Sequence, residues 1–270
     1  MYYHDFPDAI RSINDWVVND GTEVDPGHWQ GVSTKGHPDM VTYELPVSFA
    51  TRILDYDGEV TLDSLRGQIQ PNLPWADDHF EERVGRVPTN PGEEYKNWPW
   101  WDPRKEAVTG EVGQHGGPFF FTHTYQERFW PKWEEPEGTA RMGIRYQYGS
   151  LDDLVGLLVR EPTTRQAYLP IFFPEDTGAV HGGRIPCTLG YHFLFREGQL
   201  HMWYFIRSCD LVRHFRDDLY LSCRLWLWVI DEWRSRMDND TAIDHIRPGL
   251  FNFVCPSLHV HKGDLHHVKS

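Results

Sequence analysis

The sequence predicts an α/β protein of the α+β kind, in which helices flank a mixed β-sheet and one long helix lies buried at the centre. Three observations support this fold class. Segments 8–18 and 151–158 each place their apolar residues on one helical face. Strand-like segments follow one another between residues 166 and 207. The run LYLSCRLWLWVIDEW is apolar nearly all round and long for a strand, which favours a buried helix.

The residues that flank these segments indicate where the elements end. Gly21 follows the first helix as a stop, and Pro162 lies just beyond the second. The predicted strands are QAYLPIFF, TLGYHFLF and QLHMWYFIR, and REG between the last two suits a hairpin turn. Both faces of QLHMWYFIR are bulky, so we expect helices or a partner to cover both. Residues 70–140 are rich in Pro, Gly, Trp and acidic residues, which predicts ordered loops over a cleft.

The composition limits the class of protein. A chain of 270 residues with 40% hydrophobic residues suits one domain spanning residues 1–270. The formal charge of −14 disfavours a nucleic-acid partner, so an anionic ligand must be bound by local cations. No secretory signal or membrane-spanning stretch occurs, which predicts a cytoplasmic protein without a membrane partner. Four cysteines without paired spacing predict neither a metal site nor a disulfide framework.

A cysteine and an arginine stand at neighbouring ends of the predicted hairpin. Cys187 follows Pro186 at the mouth of one strand, and Arg207 closes the next strand twenty positions later. A nearby guanidinium lowers the pKa of a thiol, which favours the nucleophilic thiolate, and it also binds phosphate bidentately. A small buried structural cysteine is the alternative, and sequence spacing alone does not exclude it.

Several ordered segments resemble the thymidylate synthase family. PCTLGYHF, YFIRSCD and DDLYLS look like its central block, with a Pro-Cys dipeptide and an Arg-Ser-x-Asp motif at the family's separation. TYQERFW (124–130), EPTTRQAYL (161–169) and SLHVHKGD (257–264) resemble three further motifs. The resemblance covers roughly residues 80–264 and is strongest from 186 to 222. It implies a thymidylate-synthase-type mixed sheet that packs at a homodimer interface.

The resemblance also implies a reaction and a set of site residues. Cys187 would add to carbon 6 of a pyrimidine nucleoside monophosphate, making carbon 5 nucleophilic toward methylenetetrahydrofolate. The resemblance implies that Arg207, Ser208 and the partner subunit's Arg165 bind the phosphate. It implies that His259 binds the sugar, with His261 in place of the family tyrosine, and that Asp210 contacts the folate. Phe129 would shield the intermediate, and Tyr125 would help to remove the carbon-5 proton. Gln166 and His28 stand where the family has two more phosphate-binding arginines.

The family's general acid/base is a glutamate that precedes a Gly-x-Thr-Asn turn. Here HFEERVGRVPTN offers Glu81 and Glu82 before Thr89 and Asn90, although the spacing differs. We favour Glu81 for this role and keep Glu82 as the alternative. A solvated acidic pair is the other interpretation.

Asp218 bears on which base is bound. Thymidylate synthases carry Asn eleven residues after the arginine, whereas the deoxycytidylate hydroxymethylases of the family's phage branch carry Asp. A carboxyl group accepts from the cytosine amine and, when protonated, donates to the ring nitrogen. A mismatched buried contact costs about 1–3 kcal/mol, enough to set a preference. Asp217 leaves the register open by one, and a helix N-terminal acid pair is the alternative interpretation.

The short segment after His259 favours water over hydride as the group that completes the product, because closing segments exclude water. The leading hypothesis is therefore a dCMP 5-hydroxymethyltransferase using methylenetetrahydrofolate. The alternatives are a CMP hydroxymethylase, a dCMP methyltransferase, a dUMP thymidylate synthase, and a non-catalytic nucleotide-binding protein with the same fold.

Overall fold

The protein is described by a computed structural model over residues 1–29, 32–53, 60–101, 110–112, 119–121, 123–131, 149–177, 185–237 and 246–268. Part of the stretch predicted to be loops, including residues 132–140, lies outside these residues. Among the described residues, no helix is both long enough and apolar enough to cross a membrane.

Helices and strands alternate along most of the described chain. The helices are α1 (Phe6–Asp20), α2 (Leu62–Ile69), α3 (Trp75–Val84), α4 (Tyr125–Phe129), α5 (Leu151–Arg160), α6 (Phe215–Ser235) and α7 (Leu265–Val268). The strands are β1 (Thr22–Val24), β2 (His28–Trp29), β3 (Val32–Ser33), β4 (Thr42–Thr51), β5 (Gly110–Val112), β6 (Phe119–Phe121), β7 (Tyr168–Pro170), β8 (Thr188–Arg196), β9 (Gln199–Ile206), β10 (Ser208–Asp210) and β11 (Arg247–His261).

A mixed sheet organises the fold. Within the described residues it has seven strands in the order β1-β4-β11-β9-β8-β7, and β10 pairs with β11. The β8–β9 and β4–β11 pairs are antiparallel, whereas β9 and β10 each run parallel to β11. Helices α1 and α6 pack against this sheet. The predicted class, a mixed sheet with flanking helices, is confirmed.

The long apolar run forms the predicted central helix. Thirteen of the 21 residues of α6 are buried, among them Trp226 and Trp233. The indole Nε1 of Trp226 donates to the carbonyl of Leu200 at 3.0 Å, which joins the helix to β9. Burial of so much apolar surface on one helix is a major source of stability. The helix begins at Phe215, so both acids of the Asp217-Asp218 pair lie in its first turn.

The β8–β9 hairpin has the predicted tight turn. Glu197 and Gly198 have φ values of 51° and 76°, which is the left-handed pair that a two-residue hairpin turn requires. One face of β9 is buried, and its other face, with His201, Trp203 and Phe205, is half-buried in the single chain. The expected full cover of both faces is therefore incomplete within one chain.

Two elements differ from the sequence-based expectation. Helix α3 lies in the stretch predicted to be loops. The sequence pattern does not reveal this helix, because its buried face of Trp75, Ala76, Phe80 and Arg83 is short and the flanking Pro and Gly residues dominate the local pattern. The strand predicted from QAYLPIFF extends only over Tyr168–Pro170, since Pro170 has no N–H to continue the ladder.

A buried ion pair fixes α4 against the segment after β7. The Arg128 guanidinium donates from Nη1 and Nη2 to the two carboxylate oxygens of Asp176, at 2.8 and 2.9 Å. The two side chains are only 4% and 6% exposed. Because α4 begins with Tyr125, this pair also positions that residue.

Replacing Asp176 by alanine should lower the free energy of unfolding by about 3–5 kcal/mol, because Arg128 would stay buried without its partner. Urea denaturation measures this loss. The matched control is Arg11→Ala, which breaks the exposed Arg11–Asp8 pair at 2.7 Å, and there we expect a loss below about 1 kcal/mol. Similar losses in the two variants would contradict the structural role of the buried pair.

Candidate active site

The predicted nucleophile and arginine lie side by side. The backbone N–H of Arg207 donates to the carbonyl of Cys187 at 2.8 Å. The Arg207 side chain donates from Nε to Pro186 O and from Nη2 to Ile185 O, each at 3.0 Å. Cys187 is exposed, whereas the other three cysteines are buried. The hairpin thus brings together an accessible thiol and an exposed guanidinium, as the sequence predicted.

A hydrogen-bonded chain of hydroxyl groups begins at the residue after the cysteine. The Thr188 hydroxyl lies 3.0 Å from the hydroxyl of Tyr125 and 3.1 Å from that of Tyr204. Burial, reinforced by the nearby Asp218, raises the pKa of Tyr125 to about 12. Tyr125 therefore stays a neutral phenol near neutral pH, which suits it to position a proton acceptor rather than to be one.

The two neighbouring acids of α6 have different environments. Asp217 is buried, and both of its oxygens accept hydrogen bonds from Asn72, one from the backbone N–H and one from Nδ2, each at 2.8 Å. Asp218 is half-buried, and its Oδ2 accepts from the thiol of Cys209 at 3.5 Å. Desolvation raises the pKa of Asp218 to about 7, although Arg83 opposes the shift. The two acids therefore differ in their contacts, because Asp217 is bound to Asn72. Asp218 instead lies close to Cys209, Cys187 and Tyr125, a group called the cysteine cluster below.

Arg83 is a site residue that the sequence analysis missed. It extends from α3, is only 7% exposed, and places its guanidinium carbon 4.0 Å from the ring centre of Tyr125. The signal that would have found it is the burial periodicity of α3, where an arginine occupies an apolar-face position.

A second group lies where β10 runs beside β11. Asp210 pairs in register with His259, and Ser208 with Ser257. The Ser208 hydroxyl lies 3.4 Å from Nδ1 of His259. His259 is half-buried, whereas His261 is only 3% exposed. The structure therefore gathers the predicted sugar- and folate-contact residues at one end of the sheet.

Asp210 is held chiefly by its own loop. Its Oδ1 accepts from the backbone N–H groups of Val212 and Arg213, each at 3.0 Å. Its Oδ2 lies 3.8 Å from both Arg213 Nε and His261 Nε2. Burial lowers the pKa of His261, so the ring is neutral and its Nδ1 donates to Met40 O at 3.3 Å. Among the described residues, none donates a close hydrogen bond to Oδ2 of Asp210.

Among the described residues, Asp210, His259 and His261 are the group that offers metal-ligand atoms, within 4.8 Å of one another. Zinc bonds of about 2.0–2.2 Å require neighbouring ligand atoms roughly 3.4 Å apart. The Arg213 cation also lies beside the carboxylate. Binding an ion there would require the three side chains to move together by about 1 Å.

The two candidate glutamates differ in exposure and in their partners. Glu81 has a side chain that is 69% exposed, and it accepts from Arg224 Nη2 at 2.6 Å. Glu82 is half-buried and lies 3.4 Å from His79 Nδ1. The structure does not bring Glu81 to the cluster, so its acid/base role stays a prediction without geometric support.

Three further predicted residues have less direct placements. Arg165 is exposed just before β7, as is Gln166 beside it. Phe129 is 1% exposed and packs edge-on against Tyr191, so it faces the core. His28 is exposed in the separate β2–β3 ribbon. Phe129 also packs against the site residue Tyr125. The phosphate-binding role of Arg165 and the shielding role of Phe129 stay predictions.

A cavity of about 680 Å³ lies elsewhere, between α1 and α2. Its lining includes Ile10, Asn14 and Gln68 and has no cysteine. Convergent reactive groups identify a catalytic site better than volume does, so we place the candidate active site at Cys187.

Comparisons with known proteins bear on the fold. No protein-family model matches the sequence, and no curated protein matches it. Among solved structures, the chain is similar to the thermostable thymidylate synthase A from Bacillus subtilis, with 14% sequence identity and a TM-score of 0.57. The match covers 98% of this chain and 83% of that one. The sheet, the buried helix and the hairpin that carries Cys187 thus form a thymidylate-synthase-like fold.

Proposed function

We propose that this protein transfers a one-carbon unit from methylenetetrahydrofolate to carbon 5 of dCMP and releases 5-hydroxymethyl-dCMP. One observation carries the proposal: the exposed Cys187 lies beside Arg207 and in the same cluster as Asp218. A thiol, an anion-binding guanidinium and a carboxyl group are the three groups that attack on a pyrimidine nucleotide requires.

The chemistry follows from these groups. The Cys187 thiolate forms a bond to carbon 6, and the ring's double-bond electrons move toward carbon 5. Carbon 5 then bonds to the one-carbon unit that methylenetetrahydrofolate supplies when bound. The carbon-5 proton leaves to an acceptor positioned by Tyr125, and the bond between the one-carbon unit and the folate nitrogen breaks, so that tetrahydrofolate would leave and an exocyclic methylene would remain on carbon 5. Water adds to that methylene carbon and gives up a proton as the Cys187–carbon 6 bond breaks, which restores the thiolate and the aromatic ring.

The chain has residues that fit a reduced folate. A pterin ring requires a flat apolar wall and a carboxylate for its amino-substituted edge. Trp98 stacks on His214 at 4.5 Å, and Trp100 lies 5.6 Å from the Arg213 guanidinium beside Asp210. Asp210 keeps one oxygen without a close hydrogen bond. Asp210 and these aromatic side chains would hold the folate.

The preference for cytosine rests on Asp218. With a pKa of about 7, this carboxyl group populates both protonation states near neutral pH. It can therefore accept from the cytosine amine and donate to the ring nitrogen. For hydroxymethylation rather than methylation, the support is that Phe129 stands where the family resemblance implies a shielding tryptophan, and a phenyl ring covers less of the intermediate against water.

Tritium release from carbon-5-labelled dCMP in the presence of methylenetetrahydrofolate tests the reaction. We expect release by the wild-type protein and its loss in Cys187→Ser, because no other described thiol is exposed. Cys223→Ser, at a buried cysteine of α6, is the matched control and should keep the activity. Mass spectrometry of the product separates hydroxymethyl from methyl. If the folded wild-type protein released no tritium, the chain would instead be a non-catalytic nucleotide binder.

Asp218→Asn should shift preference from dCMP toward dUMP by at least about tenfold, because an amide matches the uracil edge and mismatches cytosine by about 1–3 kcal/mol. Competition kinetics with dCMP, CMP and dUMP measure this ratio. Asp217→Asn is the neighbouring control, since Asp217 is bound to Asn72. An unchanged ratio in Asp218→Asn would refute the role of this carboxyl group.

We also propose that the active protein is a homodimer. The half-buried face of β9, with His201, Trp203 and Phe205, supports contact with a second copy. Arg165 is exposed and would add a phosphate contact across the interface.

Mixing two inactive variants tests the shared site. Arg165→Ala and Cys187→Ser should each be impaired alone. After subunit exchange, each heterodimer has one site with both residues intact, so an equal mixture should recover about a quarter of wild-type activity. Mixing without recovery, while sedimentation shows exchanged dimers, would show that Arg165 acts within its own subunit or not at all.

A further inference from the structure

Arg83 is a buried cation at the centre of the candidate active site. Its guanidinium lies 4.0 Å from the ring centre of Tyr125, whose hydroxyl bonds to Thr188 at 3.0 Å. Thr188 directly follows Cys187. A single tyrosine therefore separates Arg83 from the residue next to the nucleophile.

Arg83 lacks the acidic partner that other buried arginines have. Arg128 is bound bidentately by Asp176, and Arg224 pairs with Asp77 and Glu81. No described carboxylate oxygen lies within 4.0 Å of Arg83. Arg83 therefore has no contact ion pair with a described carboxylate, although its charge acts at longer range on Asp217 and Asp218. Burying a cation without a contact ion pair is costly.

His79 fixes the orientation of the Arg83 side chain. Its Nε donates to His79 Nε2 at 3.0 Å, and His79 Nδ1 lies 3.4 Å from Glu82 Oε2. Burial lowers the pKa of His79 to about 4, so the ring is neutral: Nδ1–H donates to Glu82 and Nε2 accepts from Arg83. Trp75 stacks on the His79 ring at 4.9 Å. The hydrogen bond to His79 uses one of the five N–H groups of the Arg83 guanidinium. The two amino groups of Arg83 make no hydrogen bond to a described residue.

We propose that Arg83 binds the pyrimidine ring of the substrate and stabilises the negative charge that the ring acquires when the Cys187 thiolate adds to it. The inference rests on the proposed function and adds to it a residue that no sequence motif indicated. Addition at carbon 6 moves an electron pair into the ring, toward carbon 5 and the ring's electronegative edge. A fixed cation in a partly desolvated cleft stabilises that charge without reorganising water.

The same cation acts on Asp218. The groups that face this carboxyl are Arg83 from α3, Asp217 from its own helix, and Cys209 and Asp210 from β10. Four further titratable groups also face it: Tyr125 from α4, Tyr191 from β8, Tyr204 from β9 and Cys255 from β11. Arg83 is the positive charge in this set and lowers the pKa of Asp218 against the effect of burial. Removing Arg83 should therefore move the Asp218-dependent limb of the pH–rate profile to higher pH.

Steady-state tritium release from carbon-5-labelled dCMP with methylenetetrahydrofolate tests the proposal in Arg83→Met, Arg83→Lys and wild-type protein. We expect Arg83→Met to lower kcat by about 100-fold, as for loss of one electrostatic donor, while KM for dCMP changes by less than about threefold. Arg83→Lys keeps a cation and should recover part of the rate. Arg86→Met is the matched control, because Arg86 is 59% exposed and pairs with Asp152 away from the cluster.

The outcomes are distinct. If Arg83→Met keeps kcat within about threefold of wild type and leaves the pH–rate profile in place, the role of Arg83 is overturned while the proposed function stands. Absence of tritium release in the wild-type protein overturns both. A purely structural role would lower the melting temperature of Arg83→Met and Arg83→Lys alike without shifting the pH profile of the folded fraction. Should Arg83→Met not fold, a wild-type rate and pH profile in Arg83→Lys and His79→Gln together would overturn the proposal.

Discussion

The register of the β8–β9 hairpin is the constraint on which the site depends. The hydrogen bond from Arg207 N–H to Cys187 O closes this antiparallel pair at its open end, opposite the tight turn at Glu197-Gly198. A slip by one residue would turn every side chain to the opposite face of the sheet and separate the thiol from the guanidinium. Because β10 follows at once and runs beside β11, the same register also places Ser208 and Asp210 next to His259.

The charges in the cluster would allow an acidic chain to bind the anion that the proposed function requires. The molecule has a net charge of −14, yet Arg207 is exposed beside the cysteine and Arg83 lies buried behind Tyr125. These cations act locally, where desolvation strengthens their fields. The buried tyrosines stay neutral, and Asp218 has a pKa of about 7 because burial outweighs the attraction of Arg83. The site thus holds a titratable carboxyl and two cations within a protein that repels anions as a whole.

Helix α3 shows where sequence reasoning was incomplete. The stretch was predicted to be loops from its prolines and tryptophans, so its buried face, and Arg83 with it, was not recognised. The family resemblance instead points to Glu81 and Glu82 on the same helix. Glu81 is exposed and pairs with the buried Arg224, and Glu82 serves as a partner of His79. A motif comparison detects residue types only at the positions to which a family motif assigns a role. Arg83 occupies no such position, so the comparison does not indicate it.

The sequence by itself determined three helices and one pairing: α1, α5, α6, the tight hairpin and the nearness of Cys187 to Arg207 follow from local periodicity, turn chemistry and antiparallel geometry. Only the tertiary structure distinguished the two acids: Asn72, 145 positions away in the chain, donates to both oxygens of Asp217, whereas Asp218 lies beside Cys209. It also decided that Arg83 lies behind Tyr125 and that Glu81 lies on the surface. Those outcomes depend on contacts between distant segments and on desolvation, which no local pattern encodes.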